Sequence, residues 1–161
     1  YQPSKLNVAG SIPVPRSIYK GVYYRMIASI FLYAAIGITV EIVFNAFRIY
    51  FSKNDRDLSL KGSASIWMLP IYGFGLTYGL DFIFYTMSLI SGDSLLRWIS
   101  YPFWVWAVEL IIGLPTKRKL WDYSDIKYNW KGVISFQHYP AWMLFGIAIE
   151  TLRPYTDRIL L

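Results

Sequence analysis

The chain has 161 residues, of which 55% are hydrophobic, 19% aromatic and only 16% charged, with a formal net charge of +6. That balance is not one of a soluble domain and points to a single membrane domain; the basic residues lie between apolar runs, so anionic lipid headgroups rather than nucleic acid are their expected partner. Cysteine is absent, which excludes disulfides, thiolate metal sites and cysteine nucleophiles.

Up to about residue 22 the chain is polar and broken by Pro3, Pro13 and Pro15, which predicts an extended arm lying on a surface. It opens at Tyr1 rather than Met, leaving room for a targeting segment upstream. Roughly 20 apolar residues cover the hydrocarbon core, and on that measure a transmembrane domain over 23–152 holds four spans at about 26–48, 66–90, 95–114 and 133–152. Residues 153–161 read as a short tail.

The first span carries Glu41, Asn45 and Arg48 on one helical face, where Asn45 could bridge the two charges while Arg48 snorkels to the interface. A charged, Gly- and Ser-containing loop follows over 52–65. The second span has Pro70 one turn in, then Gly73, Gly75 and Gly79; Gly75-x-x-x-Gly79 has the spacing of a small-residue packing face. Asp81 is expected to face whatever packs against these glycines. The turn Ser91-Gly92-Asp93-Ser94 makes spans two and three antiparallel neighbours.

The third span is rich in aromatic residues, holds Glu109, and is closed by Pro115 and the cationic run Lys117-Arg118-Lys119. Residues 121–132 are too polar to span and too aromatic for an ordinary loop. They are expected to lie along the interface, with Asp122 or Ser124 capping a short turn and Trp121, Tyr123, Tyr128 and Trp130 at headgroup depth. The fourth span has His138 and Pro140 near its start and Glu150 near its end. The expected fold is therefore an all-α integral membrane protein, a bundle of four transmembrane helices with an interfacial aromatic segment between helices three and four. A slight excess of Lys and Arg turns the loops 52–65 and 117–131 toward the cytoplasm or matrix.

Trp121-Asp122-Tyr123-Ser124, with Asn129 and Gly132 behind it, resembles the signature of the transmembrane protein 229 family and of its bacterial relatives, the CmpB-type ABC-transporter permeases. Gly37 and Glu41 match the Gly-x-x-x-Glu of that family's first span, Ile71-Tyr72-Gly73 its Ile-Tyr-Gly element, and Glu109 with Gly113 its Glu-x-x-x-Gly; Trp142 and Gly146 fall where its last span has such residues. The resemblance covers about residues 25–152. It departs in a short connection from Gly113 to Trp121 and in the arm before Arg25, and it implies a transport role without supplying a mechanism.

An ionised carboxylate at membrane depth costs about 3 kcal/mol on insertion scales, so Glu41, Asp81 and Glu109 call for partners or a protein interior. Glu41 and Glu109 each lie one helical turn from a glycine, where a neighbouring helix can come close. Two such helices would bring them to a common polar centre, with Tyr72, Asp122, Ser124, Asn129 and Arg48 as available partners. The plainer reading of this centre is a buried hydrogen-bond network that fixes helix register; the alternative is a proton or substrate pathway.

No catalytic group stands out. The chain holds no Walker-type phosphate loop, its one histidine cannot build a typical metal site unaided, no serine has an evident base, and no cofactor is implied. The leading reading is a non-enzymatic accessory or scaffold subunit of a larger, organellar complex such as one of the mitochondrial inner membrane, in contact with lipids and other membrane subunits. A permease component centred on Glu41 and Glu109 is the second, and a lipid-acting membrane enzyme the third.

Overall fold

The computed structural model describes residues 16–52 and 58–160. The first fifteen residues of the expected arm and positions 53–57 of the first loop lie outside them. Helix α1 runs Arg16–Ser52, α2 Met68–Phe74, α3 Leu80–Ile90, α4 Ser94–Gly113 and α5 Tyr139–Ile159. A π-helical turn, Gly75–Gly79, joins α2 to α3, and between α4 and α5 lie a two-stranded antiparallel ribbon, β1 (Asn129–Trp130) with β2 (Ile134–Ser135), and a 3-10 turn, Phe136–His138.

Two helical stretches, Gly21–Phe51 and Ser94–Gly113, are long and apolar enough to cross a membrane. Large apolar side chains face outward from them and from their neighbours, among them Phe31, Ile111, Ile90 and Leu144, the pattern of a surface that meets lipid rather than water.

The boundaries differ from those expected in three places. Residues 16–22, assigned to the extended arm, are helical: Pro15 directly precedes the helix, and proline breaks a helix interior but suits its first turn. Helix α5 does not begin at Val133, where the fourth span was expected, because 134–138 form β2 and the 3-10 turn, and α5 starts with Pro140 in its first turn. The tail is not separate either; α5 continues to Ile159 through Pro154, with Arg153 bound to Asp81 at 2.6 Å and to Asp157 at 3.7 Å. Charge made these residues look like a tail, but they are the polar end of a helix.

The helices pair as α1 with α2 and the π turn, and α4 with α5. Three glycines set those pairings, and a fourth, Gly113, seats the segment between α4 and α5. A Cβ on Gly146 would lie 2.5 Å from the Tyr101 ring, and Gly37 leaves the same kind of room for Tyr72. Gly73 seats Ile30, and Gly113 seats Val133 and Trp121. Gly75 and Gly79, expected to form a packing face, do not: a Cβ on either meets nothing within 4 Å. The π turn that contains them widens the backbone instead of pressing it on a neighbour. The core centres on Tyr33, Leu80, Tyr101 and Ile149, one residue from each of α1, α3, α4 and α5.

Candidate functional site

Chain order explains how the candidate site is assembled. Helix α1 presents Glu41 one turn beyond Gly37, and the ring that fills the Gly37 gap belongs to Tyr72 of α2, which lines the same cavity as Glu41. On α4, Glu109 lies one turn before Gly113, and the gap there holds Trp121. That contact anchors the Trp121-Asp122-Tyr123-Ser124 loop beneath the bundle and turns the Tyr123 hydroxyl to Glu109 Oε1 at 2.8 Å. The two carboxylates thus face one polar centre, each with a tyrosine on the same lining.

The loop holds itself in shape. Trp121 Nε1 donates to the Val133 carbonyl at 3.1 Å, and the Tyr123 amide to the Gly132 carbonyl at 2.9 Å. Asp122 Oδ1 accepts from the Ser124 amide at 2.9 Å, the turn-capping geometry its side chain favours. Those Ser124 hydrogen bonds, with a smaller contribution from Arg118, hold the Asp122 carboxyl below its usual range. Asn129 donates to the Ile126 carbonyl and accepts from the Gly132 amide; Gly132 has φ +68°, the left-handed region that favours glycine. Burial, and then the neighbouring Glu109, pushes the Tyr123 phenol well above its ordinary range, so it stays a donor at any working pH.

Several expected partners go elsewhere. Asp122 and Asn129 serve the loop and not the carboxylates. Arg48 reaches Asp125 at 3.6 Å, and Asn45 does not bridge Glu41 to Arg48 but donates to the Ser63 carbonyl at 2.9 Å, because the 58–65 segment presses so close to α1 that a Cβ on Gly62 would strike Ile42. Asp81 is no part of the centre; its exposed carboxylate pairs with Arg153. Tyr123, expected to point toward headgroups with Trp121, turns inward, while Tyr128 and Trp130 remain exposed.

Between α1, α2, α4, α5 and this loop lies a cavity of about 550 Å³. Glu41, Tyr72, Glu109, Tyr123, His138 and Trp142 line it. Glu109 is only 6% exposed and His138 only 7%, yet Glu109 Oε2, Glu41 Oε2, His138 Nδ1, Trp142 Nε1 and Arg48 Nε have no protein partner. Buried polar atoms are nearly always paired, so these unpaired ones around one cavity mark it as a place for a ligand or water.

A second charged centre, at the other end of the bundle, was not anticipated beyond the presence of Glu150. That carboxylate accepts from Arg97 (2.6 Å and 3.3 Å), from Trp98 Nε1 (3.1 Å) and from the Tyr101 hydroxyl. Arg97 also stacks over Phe84, 4.7 Å from the ring centre. Its sequence signal is faint: Arg97 and Glu150 lie 53 positions apart.

A model of the family described as "Putative ABC-transporter type IV" matches residues 28–160. The chain belongs to that family. The match takes in Glu41, Tyr72, Glu109 and the Trp121–Ser124 loop, and supports the CmpB-type side of the resemblance drawn from the motifs. No solved structure matches the chain. Membership in the type IV family, with two helices fit to cross a bilayer, makes this a membrane protein with transport-related character.

Proposed function

We propose that the chain is a non-enzymatic membrane component of a transport assembly, and that the cavity at Glu41 and Glu109 is where it engages what is moved. The observation that carries this reading is Glu109: a buried carboxylate with one oxygen held by Tyr123 and the other facing no protein donor. A carboxylate needed only for helix register would be fully paired. The continuous helical run from Met68 to Ile90 and helix α5 complete four spans in this proposal, and the exposed apolar surface meets lipid and other membrane subunits. With no Walker-type loop among its 161 residues, energy would come from a partner chain or an ion gradient.

Flux in proteoliposomes tests the proposal. The purified chain, with whatever subunits copurify, is reconstituted around a pH-sensitive dye, and wild type is compared with Glu41→Gln and Glu109→Gln. Cation- or proton-coupled flux in wild type that falls about tenfold in the variants supports it; equal flux in all three overturns it. A lipid-acting enzyme is the second reading, favoured because one flank of the cavity reaches the outer apolar surface at Phe82 and Ile111. Mass spectrometry of lipids incubated with wild type and Glu109→Gln decides it: a product that depends on Glu109 is required.

A further inference from the structure

We infer that the cavity takes a hydrophobic organic cation, an amphiphilic amine or onium ion that enters from the lipid side between α3 and α4. The inference rests on the transport reading above and adds the chemical class of the ligand.

The inner end of the cavity is acidic and aromatic together. Glu41 Oε2 and Glu109 Oε2 are acceptors without protein donors. Beside them the rings form an unbroken wall: Tyr123 lies 5.0 Å from His138, His138 5.2 Å from Phe44, Phe44 6.4 Å from Trp142, Trp142 6.4 Å from Phe145, and Phe145 6.2 Å from Tyr72, centre to centre. Ring faces carry partial negative charge and attract cations, most strongly where water is excluded, and cages of this kind recognise quaternary ammonium groups. Two carboxylate oxygens supply the countercharge that a buried cation requires.

Other occupants fit less well. Among the described residues no three His, Asp or Glu side chains cluster as a metal site would need. An anion would meet two carboxylates against the single guanidinium among the described lining residues, Arg48, whose Nη1 is turned to Asp125 at 3.6 Å while its Nε has no partner.

The outer flank explains why the ligand should be amphiphilic. Gly75 and Gly79 of the π turn line it with open space where side chains would stand. Phe82, Val108 and Ile111 line it too, and they are 58%, 42% and 72% exposed. The cavity therefore continues from its acidic end to the surface that meets lipid, along an apolar slot suited to an acyl or aryl tail. Its volume of about 550 Å³ is that of a site for a drug-sized molecule.

The test is equilibrium binding of radiolabelled tetraphenylphosphonium to the full chain in lipid nanodiscs. Saturable binding is expected, displaced by dodecyltrimethylammonium but not by dodecanol, which shares the tail and lacks the charge. Glu109→Gln should weaken it about tenfold. Gly79→Leu keeps both carboxylates and fills the slot where the glycine leaves room, so it too should weaken binding, and it decides the matter should Glu109→Gln fail to fold by circular dichroism. No saturable binding, unchanged affinity in folded Glu109→Gln or in Gly79→Leu, or equal displacement by dodecanol each overturns the inference. Binding without flux would overturn the transport reading and leave this one standing; flux of another solute without tetraphenylphosphonium binding would do the reverse.

Discussion

The two ends of the bundle each hold an acidic side chain, half-buried at one end and buried at the other, and they treat it in opposite ways. Glu150 is surrounded by donors from α4: a guanidinium on both oxygens, an indole and a phenol. Glu109 has one phenol and an oxygen that faces a cavity. The first arrangement spends its hydrogen-bonding capacity on joining α4 to α5. The second keeps capacity in reserve, which a structural joint does not need and a binding site does.

Substitution should separate them sharply. Glu150→Ala strands Arg97 in a half-closed site without its counter-charge, and breaking such a pair costs about 3–5 kcal/mol; a large drop in melting temperature in detergent is expected, and an unchanged melt would refute the assignment of this end as the structural joint. Next in size is Gly146→Ala, which drives a methyl into the Tyr101 ring beside the same joint and should cost about 1–3 kcal/mol by overpacking, read from the same melts. Trp121→Phe keeps an aromatic ring but loses the indole atoms that pack on Gly113 and the bond to the Val133 carbonyl. About 1 kcal/mol should go, with faster hydrogen exchange confined to residues 121–135. Smallest of all is Glu109→Gln, in which the amide oxygen can still accept from Tyr123 and no isolated charge stays buried. Its stability, read from the same melts, should lie within about 1 kcal/mol of wild type or above it. A loss as large as that of Glu150→Ala would make both ends structural and erase the contrast.

How far the sequence foretold each end follows from distance along the chain. The Glu41 and Glu109 centre was legible because each carboxylate has its glycine one turn away, and a local spacing can be read from one helix. Its tyrosine donor was not: Tyr123 was read as an interfacial anchor with Trp121, since an aromatic residue in a polar loop gives no sign of which way it turns. The Glu150 network could not be read at all from spacing, because its partners lie 49 to 53 residues earlier on another helix. Arg153, three positions on, was the only local candidate, and it bonds Asp81 and Asp157 instead. The failure at Gly75 and Gly79 has a different source. A four-residue glycine repeat predicts close packing only if the helix is α-helical throughout, and there it is not.

That π turn accommodates one residue more than an α-helix would in the same rise, whereas each residue of an α-helix turns the chain by about 100°. Deleting a single codon within 75–79 would therefore remove the extra residue and let α2 and α3 merge into one plain helix without the rotation that a deletion elsewhere in the run would impose. Asp81 would keep its place beside Arg153, and Phe84 beside Arg97. A relative one residue shorter at this point would keep both ends of the bundle and lose only the open flank that Gly75 and Gly79 give the cavity.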